Sequence, residues 1–467
     1  MLLNKSEMLS KLPAVDEILR CEALVELRGS NAHDVLVGWI RDAIKNVRNE
    51  LLNGRSIQFE ALQPRIVQQV LQRQELDQHQ MIQPVINATG IILHTNLGRA
   101  PLAKLAMERM QRAAAYTNLE LDLESGKRSR RGARVTDLLA RLTGAEDALV
   151  VNNCAGATVL ALQAIAMGRE VVIARGQLVE IGGGFRLPDV FRSAGVSLRE
   201  VGTTNRTYLS DYESAINDST GAVLRVHRSN FAQIGFVTEP TIDELVMLRR
   251  PSQVPIIDDL GSGSMADLSK FGLNEPLVSH SIQAGADLCL FSGDKLFGGP
   301  QAGILVGKTL WIERLRESPL MRALRADKVT LAALEATAEI HLRGDAFEQI
   351  PVLQMLSQEL DLIHASCLAV HERLSKSCRA RVNVVACNSQ LGGGTLPAQS
   401  LPSYGLSVNG PKLDALAKAL RLGSPPTLCR LTEGRLVLDL RTVAECQFDA
   451  LANRLCELLS DDAEDTF

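Results

Sequence analysis

The stretch FSGDKLFGGPQAGILVG, residues 291–307, places a lysine between an apolar run and a glycine-rich turn. LCLFSG before the turn and AGILVG after it have the continuous apolar pattern of buried strands. Phe291 and Gly298-Gly299 flank Lys295, which predicts that this lysine is partly buried. Burial lowers the pKa of a lysine amine and makes its neutral, nucleophilic form available. The stretch therefore predicts a reactive lysine, and we expect the glycines to leave room for a ligand.

Five more runs of the same kind lie upstream: ALVVNN, EVVIAR, SLREVG, AVLRVH and VPIIDDL. Helical stretches separate most of them, and strands that are apolar throughout are typically buried on both faces. Over residues 82–330 this alternation predicts an α/β fold with a mostly parallel sheet.

The chain divides into three predicted domains. Residues 1–80 carry Leu and Val at helical spacing and form a helical N-terminal domain. Residues 82–335 form the large core domain, in which a helical stretch at 328–343 follows the alternating strands and helices and crosses the boundary to the third domain. Residues 336–467 form a smaller α/β domain, with a hairpin around Glu433-Gly434 and two helices.

Composition excludes several classes of protein. The 467 residues carry a net charge of −4, so the chain is not a polycation, and only 4% are aromatic, which argues against base-stacking modules. The nine cysteines form no C-x-x-C pair, which excludes the usual zinc spacings and predicts reduced thiols in a cytoplasm. We find no signal peptide and no apolar run long enough to span a membrane, and we predict no metal.

A second chemical signal is VPIIDDLGSG, an apolar run that ends in two acids. A carboxylate at the end of a strand can pair with a pyridinium nitrogen and keep it protonated, which makes the ring an electron sink. Asp259, which lies 36 residues before Lys295, is followed by small residues that leave room for a flat ring. We prefer Asp259 to Asp258 for this role, and the alternative is that both acids cap the loop.

A third signal is ALVVNNCAGATVLALQAI, in which an apolar run ends at Asn152-Asn153 and small residues open a helix. Backbone N–H groups at a helix start bind phosphate. We therefore expect a phosphate-binding turn, called the phosphate cup below, that is formed by Asn153, Cys154, Ala155 and Gly156. Taken by itself, Cys154 has an alternative interpretation as a small residue that only fills space in the packing. The order of phosphate cup, strand-end acid and lysine resembles the fold-type I pyridoxal-phosphate enzymes, and this resemblance adds Ser292 to the cofactor residues.

Longer stretches are more specific than that superfamily and cover the chain from 82 to about 445. They are INATGIILHTNLGRAPL (86–102), ELDLESGKRSRRGARV (120–135), VEIGGGFRLPDV (179–190), EVGTTNRTYLSDY (200–212), VHRSNFAQIGF (226–236), FSGDKLFGGPQAGILVG (291–307) and PLMRALRADKVTLAALEAT (319–337). In these stretches the chain resembles the bacterial selenocysteine synthase family, the L-seryl-tRNA(Sec) selenium transferases.

The resemblance implies a function. The family converts serine on its tRNA into selenocysteine with selenophosphate, by β-elimination of the seryl hydroxyl to aminoacrylate and then selenium addition. It implies pyridoxal 5′-phosphate as cofactor, a cytoplasmic homodecamer built from five dimers, an N-terminal domain that grips the tRNA, and no DNA or membrane partner.

The resemblance also implies roles for individual residues. Lys295 would carry the cofactor, and Asp294 would assist proton transfer. Four arginines would hold the anionic selenium donor: Arg99, Arg322, Arg325 and Arg131. Thr203 and Thr204 would reach the tRNA acceptor end from a neighbouring subunit, and Phe231 would lie near its terminal adenosine.

Some features leave alternatives open. Arg41, Lys45 and Arg48 share one helical face, which is either a solvated face or a patch for a polyanion. The run KRSRRGAR at 127–134 is either a solvated charge run or a contact to tRNA phosphate or to the selenium donor. Arg228 stands where the family is expected to have threonine. The rival functions are a pyridoxal lyase acting on a free small molecule and an inactive tRNA-binding protein.

Overall fold

The computed structural model describes residues 5–55, 57–182, 184–248 and 253–460. The chain forms two compact units, residues 1–84 and residues 85–467. The first unit is helical, as the sequence predicts. Its α-helices are Lys5–Ser10, Val15–Leu19, Val25–Ser30, His33–Leu52 and Leu62–Gln80.

The first unit has its own apolar core. Ile40 and Val47 of the longest helix are fully buried with Ile66 and Val70 of the last one, at the spacing of one helical face. The longest helix ends at Leu52 with Asn53 as its C-cap, and Gly54 after it takes a positive φ of 87°.

The α-helices of the second unit alternate with its strands in the first part and cover its sheets in the second. They are Lys104–Ala113, Ala133–Thr143, Cys154–Ala166, Leu187–Ser193, Leu209–Ala215, Ile242–Leu245, Val278–Ala284, Thr309–Glu317, Pro319–Ala323, Lys328–Arg343, Ala346–Gln349, Pro351–Ser357, Leu360–Arg373, Lys376–Arg379, Leu413–Arg421 and Phe448–Leu459.

The strands of the second unit form two large sheets and two small pairs. They are β1 (Ile86–Asn87), β2 (Ile91–Leu93), β3 (Asp147–Val151), β4 (Glu170–Ala174), β5 (Glu180–Ile181), β6 (Phe185–Arg186), β7 (Ser197–Val201), β8 (Thr220–Val226), β9 (Ile256–Gly261), β10 (Leu288–Ser292), β11 (Gly303–Gly307), β12 (Val382–Gly392), β13 (Thr395–Val408), β14 (Thr427–Leu428), β15 (Arg430–Thr432) and β16 (Arg435–Asp439).

All seven apolar runs of the sequence are strands of one sheet, in the order β3-β11-β10-β9-β8-β4-β7. Neighbouring strands are parallel except at β11, which is antiparallel to β10 and β3. The carboxyl ends of β3, β8, β9 and β10 therefore meet at one edge, where ligands bind in open α/β sheets.

The second large sheet has the order β15-β16-β13-β12-β2. Its centre is the long β12–β13 hairpin, and the predicted hairpin at Glu433-Gly434 joins β15 to β16. The two short strands at 86–93, in a stretch that we predicted to begin the large domain, pair with β14 and β12 from the C-terminal part of the chain.

Across the four described ranges, no helix combines the length and apolarity needed to cross a membrane. No group of three or more His, Cys, Asp or Glu side chains in those ranges is arranged to hold a metal ion. All nine cysteines carry free thiols.

Candidate active site

A cavity of about 350 Å³ opens at the carboxyl edge of the large sheet. It brings together residues that are up to about 200 positions apart in the sequence. Eight predicted site residues line it: Arg99, Asn153, Cys154, Ala155, Asp259, Ser292, Asp294 and Lys295.

Lys295 lies in the turn that follows β10 and is 7% exposed, as the sequence predicts. Its carbonyl oxygen accepts a hydrogen bond from Gly298 N at 3.0 Å, which closes the turn. Burial lowers the pKa of the Lys295 amine from its ordinary value, against the opposing effect of Asp259 and other nearby groups. The amine is therefore available as a nucleophile or a base.

The glycines of this turn serve a purpose that differs from our expectation. A Cβ on Gly298, where φ is +74°, would lie 2.1 Å from Ile350 Cγ2, and a Cβ on Gly293 would lie 2.6 Å from the Pro300 carbonyl oxygen. The prediction that the glycines leave room for a ligand is wrong at these two positions, because they allow close packing against protein. Gly261 on β9 does border Lys295, since its Cβ would lie 3.7 Å from Nζ.

Asp258 and Asp259 lie on opposite faces of β9, as successive strand residues do. Asp258 is fully buried away from the cavity, where it accepts hydrogen bonds from Arg225 Nη1 at 2.9 Å and Ser281 Oγ at 2.6 Å. Asp259 lines the cavity, and burial raises the pKa of its carboxyl to about 6. Of the two acids, Asp259 is the one that can contact a ligand there.

The helix Cys154–Ala166 begins at the cavity. Asn153 caps it, accepting a hydrogen bond from Gly156 N at 2.7 Å through Oδ1. A Cβ on Gly156 would lie 3.0 Å from Asn152 Oδ1 and 3.1 Å from Leu324 Cδ2, so only glycine packs there without displacement. The positive end of the helix dipole and the first N–H groups could hold an anion here.

Arg99 and Asp294 form an ion pair at the cavity, with Nη1 2.7 Å from Oδ2. Arg99 has a left-handed backbone with φ of +62°, which is uncommon for a residue other than glycine. Backbone strain of this kind clusters at functional sites. The pair places a guanidinium and a carboxylate within the same cavity as the Lys295 amine.

Three of the predicted donor-binding arginines lie outside this cavity. Arg131 donates to the Ala326 carbonyl oxygen at 2.8 Å through Nη2, and it lines a smaller cavity of about 160 Å³ together with Arg325. Arg322 and Arg325 are exposed, and among the described residues neither forms an ion pair. The single chain therefore brings only Arg99 to Lys295.

The predicted tRNA residues lie on two loops that hydrogen-bond with each other. Gln233 Nε2 donates to the Thr204 carbonyl oxygen at 2.8 Å, and Thr203 Oγ1 bonds within its own turn to the Arg206 carbonyl oxygen at 2.9 Å. Both threonines are exposed, whereas Phe231 is half-buried against the core of the large sheet. None of the three lines the large-sheet cavity.

The arginines of the basic run 127–134 form ion pairs with acidic residues of the same chain, and so does Arg228. Arg128 pairs with Glu120, Arg130 with Asp147, Arg131 with Glu120, and Arg134 with Glu335 and Glu339. Arg228 Nη2 lies 2.6 Å from Glu239 Oε2 and also bonds to Gln233. The arginine at position 228 thus has a partner outside the cavity.

Our sequence reasoning missed several polar residues that line the cavity, among them Thr158, His227 and Ser229. Thr158 lies one turn after Cys154 on the same helix face, a spacing that could have identified it. His227 directly follows β8, and its Nε2 lies 3.5 Å from Oε1 of buried Glu275. The sequence could have identified His227 and Ser229, because they come just after a predicted parallel strand.

Two protein families match the chain. Residues 85–444 match the family described as L-seryl-tRNA selenium transferase, and residues 9–48 match the one described as selenocysteine synthase N terminal.

Individual relatives match over nearly the full length. An L-seryl-tRNA(Sec) selenium transferase of Clostridium botulinum (strain Okra / Type B1) is 40% identical over 98% of this chain and 100% of its own. One of Carboxydothermus hydrogenoformans is 42% identical over 95% and 96%. Among solved structures, a D-glucosaminate-6-phosphate ammonia-lyase is 24% identical, with a TM-score of 0.58, over 83% of this chain and 97% of that one. This last likeness shows the fold alone.

Proposed function

Because the chain belongs to the L-seryl-tRNA selenium transferase family, we propose that it converts seryl-tRNA(Sec) to selenocysteinyl-tRNA(Sec) for selenoprotein synthesis. It is a pyridoxal-phosphate enzyme with the fold-type I architecture. The observation that carries the proposal is one cavity that holds both a buried lysine amine and a buried strand-end carboxylate, in a chain that matches this family over residues 85–444.

The cavity fits pyridoxal 5′-phosphate. Lys295 would hold the cofactor covalently, and Asp259 would pair with the ring nitrogen, because a carboxylate left buried without a cation is costly. The phosphate would lie at the helix start, on Asn153, Cys154, Ala155 and Gly156, with Ser292 beside it. When bound, the cofactor supplies an electron sink for the serine α-carbon.

Two side chains of the chain would handle protons. Once the seryl amine has displaced it from the cofactor, the freed Lys295 Nζ, with its lowered pKa, would accept the α-proton of the seryl group. Hydroxide is a poor leaving group, so an acid has to protonate the seryl hydroxyl as it departs. Asp294 would assist this transfer and lies at the same cavity.

The selenium donor would be selenophosphate, a small anion with several charges. Arginine forks suit phosphate oxygens and stay charged. Arg99 would bind it from the cavity, and the exposed Arg322 and Arg325, together with the half-buried Arg131, would complete the set. These three lie on or beside the segment 319–326, in which the Leu324 carbonyl oxygen accepts a hydrogen bond from Asn152 N at 2.9 Å, just before the helix proposed to bind the phosphate.

The tRNA would be bound by two parts of the protein. Thr203 and Thr204 would reach the acceptor end in a neighbouring subunit, with Phe231 near its terminal adenosine. The N-terminal helices would grip the body of the tRNA, and the exposed cations Arg41, Lys45 and Arg48 are available for phosphate contacts.

The assembly would be a homodecamer of five dimers in the cytoplasm, where aminoacylated tRNA is present. Each chain would contribute a tRNA-binding domain (1–80), a cofactor-binding core (82–335) and a small C-terminal domain (336–467). This proposal has no role for DNA or a membrane.

The test supplies purified protein with seryl-tRNA(Sec) and selenophosphate and measures selenocysteinyl-tRNA. We expect the product to form and free serine to stay unchanged in parallel. Turnover of free amino acids without turnover of the charged tRNA would overturn the proposal and favour a small-molecule lyase. Binding of the tRNA with no conversion would favour an inactive tRNA-binding protein.

A further inference from the structure

The hydroxyl of Thr158 lies between two acceptors. Its Oγ1 is 3.0 Å from Asp259 Oδ2 and 3.0 Å from the carbonyl oxygen of Cys154, and the residue is 2% exposed. A threonine hydroxyl has one proton, so it can donate to only one of these acceptors at a time.

This geometry serves both protonation states of the carboxyl. When Asp259 is ionised, the Thr158 hydroxyl donates to Oδ2. When Asp259 is protonated, its carboxyl donates to Thr158 Oγ1, and the hydroxyl donates to the Cys154 carbonyl oxygen. In each state the buried polar atoms of this group have a partner, which a valine of the same shape would not provide.

The other groups around Asp259 act in opposing directions. Burial raises its pKa to about 6, while Thr158, Lys295 and Gly261 N–H lower it. The titratable and charged groups at the same cavity are Arg99, Cys154, His227, Asp294 and Lys295. Asp258 and Cys289 lie outside the cavity but are close enough to interact electrostatically with Asp259. Two side chains donate to Asp259: the Thr158 hydroxyl to Oδ2 at 3.0 Å and the Cys154 thiol to Oδ1 at 3.9 Å. The Thr158 bond is the short one, and because a hydrogen bond to a charged carboxylate is stronger than one to a neutral carboxyl, it favours the ionised form.

We propose that Thr158 is a positioning residue that keeps Asp259 ionised and aimed at the cofactor ring nitrogen, which sets how strongly the ring withdraws electrons. This inference rests on the proposed pairing of Asp259 with that nitrogen. It assigns a role in the reaction to a residue that does not touch the substrate.

The test compares Thr158→Val with Thr158→Ser in the holoenzyme and records the visible absorbance of the bound cofactor against pH. With a less ionised Asp259 the ring carries less positive charge, so Lys295 Nζ keeps its proton to higher pH. We expect the midpoint of the absorbance change to rise by roughly half a unit or more in Thr158→Val. We also expect kcat to fall roughly tenfold, as for one lost hydrogen bond to a charged group, with KM for seryl-tRNA unchanged.

Two comparisons make the result specific. Thr158→Ser keeps the hydroxyl and should restore both the midpoint and kcat. Thr337 is the matched control, because it is fully buried and, within the described part of the chain, its Oγ1 bonds only to the helix carbonyl oxygen of Ala333 at 2.9 Å. Thr337→Val should leave the midpoint unchanged.

Asp259→Asn distinguishes a failure of the Thr158 role from a failure of the proposed pairing between Asp259 and the ring nitrogen. If Asp259→Asn shifts the midpoint and Thr158→Val does not, the role of Thr158 is overturned and the proposed function stands. If neither variant shifts it, the pairing of Asp259 with the ring is itself wrong. A midpoint that Thr158→Ser fails to restore would assign Thr158 to packing and overturn the inference.

Discussion

Arg99 Nη1 lies 2.7 Å from Asp294 Oδ2, so the arginine proposed to hold the selenium donor is paired with the acid proposed to transfer protons. The Asp294 side chain is 8% exposed and that of Arg99 is 35% exposed, so the arginine is the partner that solvent and small anions can reach. An arriving selenophosphate would compete with Asp294 for the same guanidinium. Donor binding and the ion pair that holds the Asp294 carboxylate are therefore coupled.

Arg99→Lys tests this arrangement, because lysine keeps the charge but loses the planar fork. We expect KM for selenophosphate to rise about tenfold to hundredfold, the effect of losing one or two hydrogen bonds to a charged group. KM for seryl-tRNA should stay the same. Arg192→Lys, on a well-exposed side chain, is the control, and equal effects on both substrates would contradict a donor-specific role.

Lys295→Ala should abolish the yellow colour of the purified protein and the adduct that borohydride traps. The rate should fall by at least about 10²-fold, since a placed proton-transfer group contributes about 10²–10⁴-fold. Lys104→Ala removes an exposed lysine at another helix start and should change neither property. A borohydride adduct that persists in Lys295→Ala would assign the cofactor to a different lysine.

Asp259→Asn and Asp258→Asn should impair different properties of the protein. Asp259→Asn should weaken cofactor binding and lower kcat while the apoprotein stays folded. Asp258→Asn should destabilise the fold by about 3–5 kcal/mol, because it leaves Arg225 buried without its ion-pair partner. Urea unfolding and cofactor titration distinguish the two, and a cofactor defect specific to Asp258→Asn would reverse the assignment.

Most of the large sheet was predictable from its apolar runs, and all seven strands were found. Six of them are buried on both faces, whereas the edge strand β7 is largely exposed, contrary to the expectation from its sequence. The β12–β13 hairpin was not, because its sequence, VNVVACNSQLGGGTLPAQSLPSYGLSV, mixes glycine, proline and serine and lacks a period-2 pattern. At the site, Lys295 and Asp259 follow from sequence order and strand ends. The Arg99–Asp294 pair could not be predicted, since it joins residues 195 positions apart.

The ionisation of Asp259 should appear in the pH dependence of apoprotein stability. Its folded pKa of about 6 lies above the ordinary value of 3.8, so the ionised carboxylate costs stability that grows as pH rises from about 4 to 6. Asp259→Asn removes this cost. We expect the apo variant to be more stable than the wild type by about 1–3 kcal/mol at pH 7.5 and nearly equal to it at pH 4. An advantage of the same size at both pH values would exclude ionisation as its cause.

The first unit, residues 1–84, has its own core, so its removal should leave the cofactor site intact. We expect deletion of residues 1–75 to weaken seryl-tRNA(Sec) binding without loss of bound cofactor. Unchanged tRNA affinity would contradict the proposed grip.

A sharper variant replaces Arg41, Lys45 and Arg48 by Gln on the exposed face of the longest helix. If these cations neutralise tRNA phosphates, the slope of log affinity against log salt should fall by about one for each phosphate that is no longer neutralised. The same change at the exposed Arg20, Arg28 and Arg73 is the matched control. An equal fall in slope in both variants would mean that the unit attracts tRNA by its general charge and has no dedicated phosphate-binding face.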